Sequence, residues 1–99
     1  MNKFGLPDSV LQEIISELKK YPEITQVKVF GSRAKGNFKR YSDIDLALFA
    51  NSKIDIAMDI KDALEELDII YRFDVLHYEF LKSEALKQHI DRVGIPILN

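Results

Sequence analysis

An apolar run ending in glycine and serine, a short basic stretch, and a second apolar run opened by two aspartates constrain this 99-residue chain most. Val27-Lys28-Val29-Phe30 reads as a strand running into Gly31, where the missing side chain lets a ligand or another group come close to the backbone. Ser32 follows with a hydroxyl and an amide where a short helix would begin, and free N–H groups at a helix start favour anions. Asp43 and Asp45 lead into the apolar run Ile44-Asp45-Leu46-Ala47-Leu48-Phe49. Residues i and i+2 of a strand share a face, so the two carboxylates point one way and Ile44 the other. Their Cα atoms fall roughly 6.6 Å apart at a rise of ~3.3 Å per residue. Carboxylates so spaced can share two Mg²⁺ ions ~3.5–4 Å apart, an arrangement suited to phosphoryl and nucleotidyl transfer. Gly-Ser is equally an ordinary turn, and Asp-x-Asp equally a solvated strand end. Their order, with Arg33, Lys35, Lys39 and Arg40 between them, gives the phosphate-and-metal reading its weight.

Composition removes several alternatives. A chain of this length suits one domain, 1–99, with a core large enough to need no staples. It has no cysteine, which rules out disulfide, zinc–thiolate and cysteine-nucleophile chemistry. The formal net charge of −2 means that the whole surface is not a nucleic-acid footprint, so direct nucleic-acid binding is not expected. Met1 to Pro7 lacks the apolar run of a signal peptide, and no stretch approaches the ~20 apolar residues of a membrane span. A cytoplasmic protein is expected.

Hydrophobic periodicity predicts the remaining elements. Pro7 to Lys20 is expected to be helical, with Val10, Leu11, Ile14, Ile15 and Leu18 inward and Pro22 stopping it. Thr25 to Phe30 and Ile44 to Ala50 are the first two strands, the second apolar enough to lie centrally. Ile54 to Leu67 is a second amphipathic helix, capped by Asn51 or Ser52. Tyr71 to His77 is a third strand, in which Asp74 is an acid among apolar residues. A carboxylate in a core strand is costly unless it is paired or ligates a metal, which makes Asp74 the candidate third acid. Tyr78 to Val93 holds the last helix, in one or two pieces and closed by Gly94. Ile95-Pro96-Ile97-Leu98 is a short edge strand, because proline cannot donate to a ladder. His77 and His89 receive no functional role.

Gly31-Ser32, ten intervening residues and Asp43-Ile44-Asp45 resemble the signature of the DNA polymerase β-like nucleotidyltransferases. The fuller string GSRAKGNFKRYSDIDLAL is similar to the minimal nucleotidyltransferases, as is the pattern from Arg72-Phe73-Asp74 through His89-Ile90-Asp91-Arg92-Val93-Gly94. Leu98-Asn99 ends the chain where an aromatic is common in that family, and Tyr41 is bulkier than usual. The resemblance implies an α/β (α+β) fold, a small mixed sheet flanked by helices with the site at one edge. It also implies transfer of a nucleoside monophosphate, with AMP from ATP the favoured case, using two Mg²⁺ ions. Asp43 and Asp45 would ligate both metals and Asp74 one of them while helping to deprotonate the acceptor. Gly31 and Ser32 would contact the β- and γ-phosphates, and Arg33 and Lys35 would neutralise further charge.

Minimal members are typically encoded with a HEPN-domain protein, and some are antitoxins that transfer AMP onto it. The expected partners are therefore a HEPN protein and a nucleoside triphosphate, with no membrane. Two alternatives are a non-catalytic module that neutralises the HEPN protein by contact, and a small-molecule transferase of the aminoglycoside-modifying kind. Phe38 and Tyr41 either join residues 95–98 in an apolar docking patch or simply pack the loop onto the sheet, and the sequence favours neither.

Overall fold

The computed structural model describes residues 1–99. Four strands form one mixed sheet: β1 (Ile24–Phe30), β2 (Ile44–Ala50), β3 (Phe73–His77) and β4 (Ile95–Leu98), in the order β3-β2-β1-β4. β1 pairs antiparallel with β2 and with β4, while β2 pairs parallel with β3. The helices are α1 (Asp8–Leu18), α2 (Gly31–Lys35), α3 (Ala57–Glu65) and α4 (Glu84–Val93), with a 3₁₀ turn at Tyr78–Phe80 ahead of α4.

Strand alternation divides the sheet into two unequal faces. Val27, Val29, Ile44, Leu46, Leu48, Phe73 and Val75 point to one, where Ile14 and Leu18 of α1 and Ile60 and Leu64 of α3 cover them. That core contains 15 buried residues, whereas only Phe30, Ala47 and Ile90 are buried on the opposite face under α4. The second face is thinly covered, and part of it stays open.

Several elements differ from the sequence expectation in ways that local hydrogen bonding explains. The second helix begins at Ala57 rather than Ile54, and neither Asn51 nor Ser52 caps it. Ser52 instead closes a turn with Ile54, and Asp55 Oδ1 accepts the Ala57 amide at 2.9 Å. The buried His77 Nδ1 accepts the Ile56 amide at 3.3 Å, which ties the start of α3 to β3. β3 is an edge strand, so Asp74 is exposed and not embedded in a core strand. The last helical region, expected in one or two pieces, is in two, with Ser83 Oγ accepting the Leu86 amide to start α4. β4 is the opposite edge of the sheet.

Candidate active site

The register of the sheet assembles the acidic residues. Asp45 of β2 is the cross-strand partner of Phe30 on β1 and of Asp74 on β3, so Phe30, Asp45 and Asp74 form one row. They share the thinly covered face with Ala47 and Leu76, and Asp43, two residues before Asp45, begins the same side of β2. Asp43 and Asp74 are exposed, whereas Asp45 is partly buried. Burial first, then the nearby Asp74 and Asp43 carboxylates, push the Asp45 carboxyl up to about 6, with Arg33 acting in the opposite sense. The three side chains do not close into a tight three-ligand cluster. Like charges on one face repel, and the donor set is the all-oxygen kind that suits Mg²⁺.

Gly31 sits against this row for two separate reasons. Its φ of +69° is in the region that side chains rarely adopt, and a Cβ there would run into Asp45 Oδ2. The glycine thus lets the end of β1 turn directly into α2 beside the acid. Ser32 is partly buried in the first turn of α2, and Lys35 is exposed in its last.

Arg33 departs from expectation. It is only 1% exposed, and its guanidinium donates to the carbonyls of Phe4 (2.8 Å), Arg40 (3.2 Å) and Ser42 (2.8 and 3.1 Å). The Phe38 and Tyr71 rings lie 5.2 and 5.1 Å from its Cζ, and burial holds its pKa below the ordinary arginine value. The side chain anchors the N-terminal segment and the loop ahead of Asp43, so its donors are taken up by backbone carbonyls. The expectation that Arg33 binds phosphate is corrected on that ground.

Phe38 is likewise engaged, lining a cavity of about 550 Å³ with Met1, Gly5, Pro7, Arg40, Ile70 and Tyr71. That cavity adjoins the entry to β3, at the other side of the sheet from β4, so Phe38 and residues 95–98 do not form a single docking patch. A second cavity, of about 380 Å³, lies between α3 and β3. None of the three acids lines either one. His77 is structural, since its ring nitrogens meet the Ile56 amide and the Ala50 carbonyl.

Sequence reading missed the part of α4 that reaches the acidic row. His89 stands edge-on to Phe30, ring centroids 6.3 Å apart. Its helical spacing was visible, but not the direction in which α4 crosses the sheet.

Comparison with known proteins agrees with this architecture. The Polymerase beta, Nucleotidyltransferase family matches residues 12–99, and the chain belongs to that family. It is 36% identical over 97 residues to the probable protein adenylyltransferase MntA of Haemophilus influenzae, covering 96% of this chain and 78% of the relative. A chain in the crystal structure of a toxin–antitoxin complex with AMP-PNP superposes with a TM-score of 0.73 at 27% identity, over 87% of this chain and 70% of that one. The complex of a tri-AMPylated Shewanella oneidensis HEPN toxin with its MNT antitoxin shares the fold: TM-score 0.67, 22% identity, 90% and 69% covered. No helix is long and apolar enough to cross a membrane.

Proposed function

We propose that the chain transfers AMP from ATP to a hydroxyl on a HEPN-type partner protein, as the antitoxin of a toxin–antitoxin pair. The observation that carries this reading is the row in which Asp45 and Asp74 stand side by side, with Asp43 next to them and Gly31 pressed against Asp45. The name of the Haemophilus influenzae relative and the AMP-PNP and AMPylated-toxin complexes support AMP as the group moved and a toxin as the acceptor.

Asp43 and Asp45 would hold two Mg²⁺ ions, with Asp74 completing the set on one of them. Bound there, the ions supply charge neutralisation on the triphosphate and activation of the acceptor hydroxyl. Gly31 holds the end of β1 against Asp45, where Ser32 would offer the phosphates its hydroxyl and amide. Lys35, exposed on the same short helix, adds positive charge. Asp74, on an edge strand and exposed, would accept the proton of an incoming hydroxyl. Pyrophosphate leaves as the acceptor oxygen attacks the α-phosphorus. A small acceptor needs a concave pocket around most of its surface, and neither cavity adjoins the acids. An open site favours an acceptor that brings its own surface.

Titration with Mg-ATP, followed by amide NMR, tests the site. Shifts should concentrate at residues 31–36, 43–46 and 74. Perturbations confined to other regions would remove the assignment.

A further inference from the structure

The path of α4 over the second face leaves an ordered remainder. Ile90 packs on Phe30 and Ala47, and Leu86 packs in the same cluster as Leu76 and Leu81. Gly94 lies against Lys28, just before Ile95 pairs with Val29. The helix therefore crosses from β3 to β1 above the second row of the sheet, Lys28–Ala47–Leu76. The first row, Phe30–Asp45–Asp74, is left in front of one flank of α4.

Helical geometry says which residues occupy that flank. At roughly 100° per residue, His89 and Asp91 lie on opposite sides of the inward-facing Ile90. Asp91 accepts the Tyr78 hydroxyl at 2.9 and 3.0 Å, and Tyr78 stacks on Phe49 at 4.4 Å, toward the far end of β2. His89 is thereby turned the other way, toward Phe30, the residue that precedes Gly31 and Ser32. Arg92, three residues on, lies about 60° beyond His89 and about 160° from Ile90, at the outer, exposed rim of this flank. α2 and α4 are in contact, so the flank faces the end of β1, away from the Asp74 side.

We infer that His89 forms a second wall of the triphosphate site, with the longer Arg92 at its outer rim, both donating from α4 to the β- and γ-phosphates opposite Ser32. This rests on the nucleotidyl-transfer reading and adds residues to it. Two cationic or donor-bearing side chains one turn apart supply what the short α2 lacks once Arg33 is committed to carbonyls. Charge-assisted hydrogen bonds of this kind add specificity for the part of the nucleotide that departs as pyrophosphate.

The test compares Mg-ATP, pyrophosphate and AMP binding by NMR titration. His89→Ala and Arg92→Gln should each weaken Mg-ATP and pyrophosphate by about tenfold, as expected for a hydrogen bond to a charged group, while AMP is unaffected. His89→Gln, which keeps a donor, should recover part of the loss. Folded variants that bind Mg-ATP like the parent, or that lose AMP and ATP affinity equally, would overturn the inference. Arg92 is exposed, so its variant keeps the test valid even where His89→Ala unfolds. A parent protein that binds no Mg-ATP would instead remove the nucleotidyl-transfer reading, and this inference with it.

Discussion

At the scale of single residues, Asp45 joins folding to chemistry. Its carboxyl is pushed up to about 6, above the unfolded value near 4. The folded state therefore holds the proton more tightly, and this residue's contribution to stability declines as pH rises from about 4 through about 6. Thermal melts of the metal-free parent and Asp45→Asn should diverge over that window, the variant gaining relative stability toward neutral pH. A constant difference between them would contradict the assigned cause. Asp43→Asn and Asp45→Asn should abolish transfer and leave the fold intact. Gly31→Ala places a side chain at positive φ and against Asp45, so it should lose both transfer and stability, by about 1 kcal/mol or more for the backbone alone. The Asp-x-Asp spacing was legible in the sequence because a strand's period of two leaves no choice of face. That Phe30 stands beside Asp45 was not, because it depends on which strands pair.

Arg33 shows the same limit at the scale of elements. Its place after Gly31-Ser32, among other basic residues, suggested a phosphate contact. The direction of a side chain on a five-residue helix depends on what packs over it, and here Phe38, Tyr71 and three backbone carbonyls claim it. Arg33→Ala leaves those carbonyls without their donor and should cost on the order of 3 kcal/mol. Denaturant melts should register that loss, and the fully buried Leu46→Ala in β2 should cost roughly 2–5 kcal/mol. Asp74 was found by an argument only partly right. It was singled out as an acid in a core strand, yet β3 is an edge and Asp74 is exposed. Hydrophobic runs reveal that a strand is apolar on one side, but its position in the sheet is set by long-range pairing. The three strand cores and the last helix were legible because their periodicity is strong, whereas its division into two pieces was left open. The start of α3 was not, because Asp55 and His77 fix it through contacts outside its own apolar pattern.

At the scale of the whole molecule, one well-covered face gives the sheet its stability and one thinly covered face gives it a site. α1 and α3 build the main core, so the acids can stand on the opposite side at little structural cost. α4 then covers only part of that side, leaving the row from Phe30 to Asp74 open to a triphosphate and to a large acceptor. The central claim, that this open row transfers AMP to a protein, is tested most directly by intact mass spectrometry. The chain is incubated with Mg-ATP and a HEPN-type toxin protein, and both proteins are weighed. The account predicts a gain of one or more AMP units on the HEPN protein, absent with Asp43→Asn. A tight complex in which neither protein gains mass, under conditions where Mg-ATP binds, would contradict it.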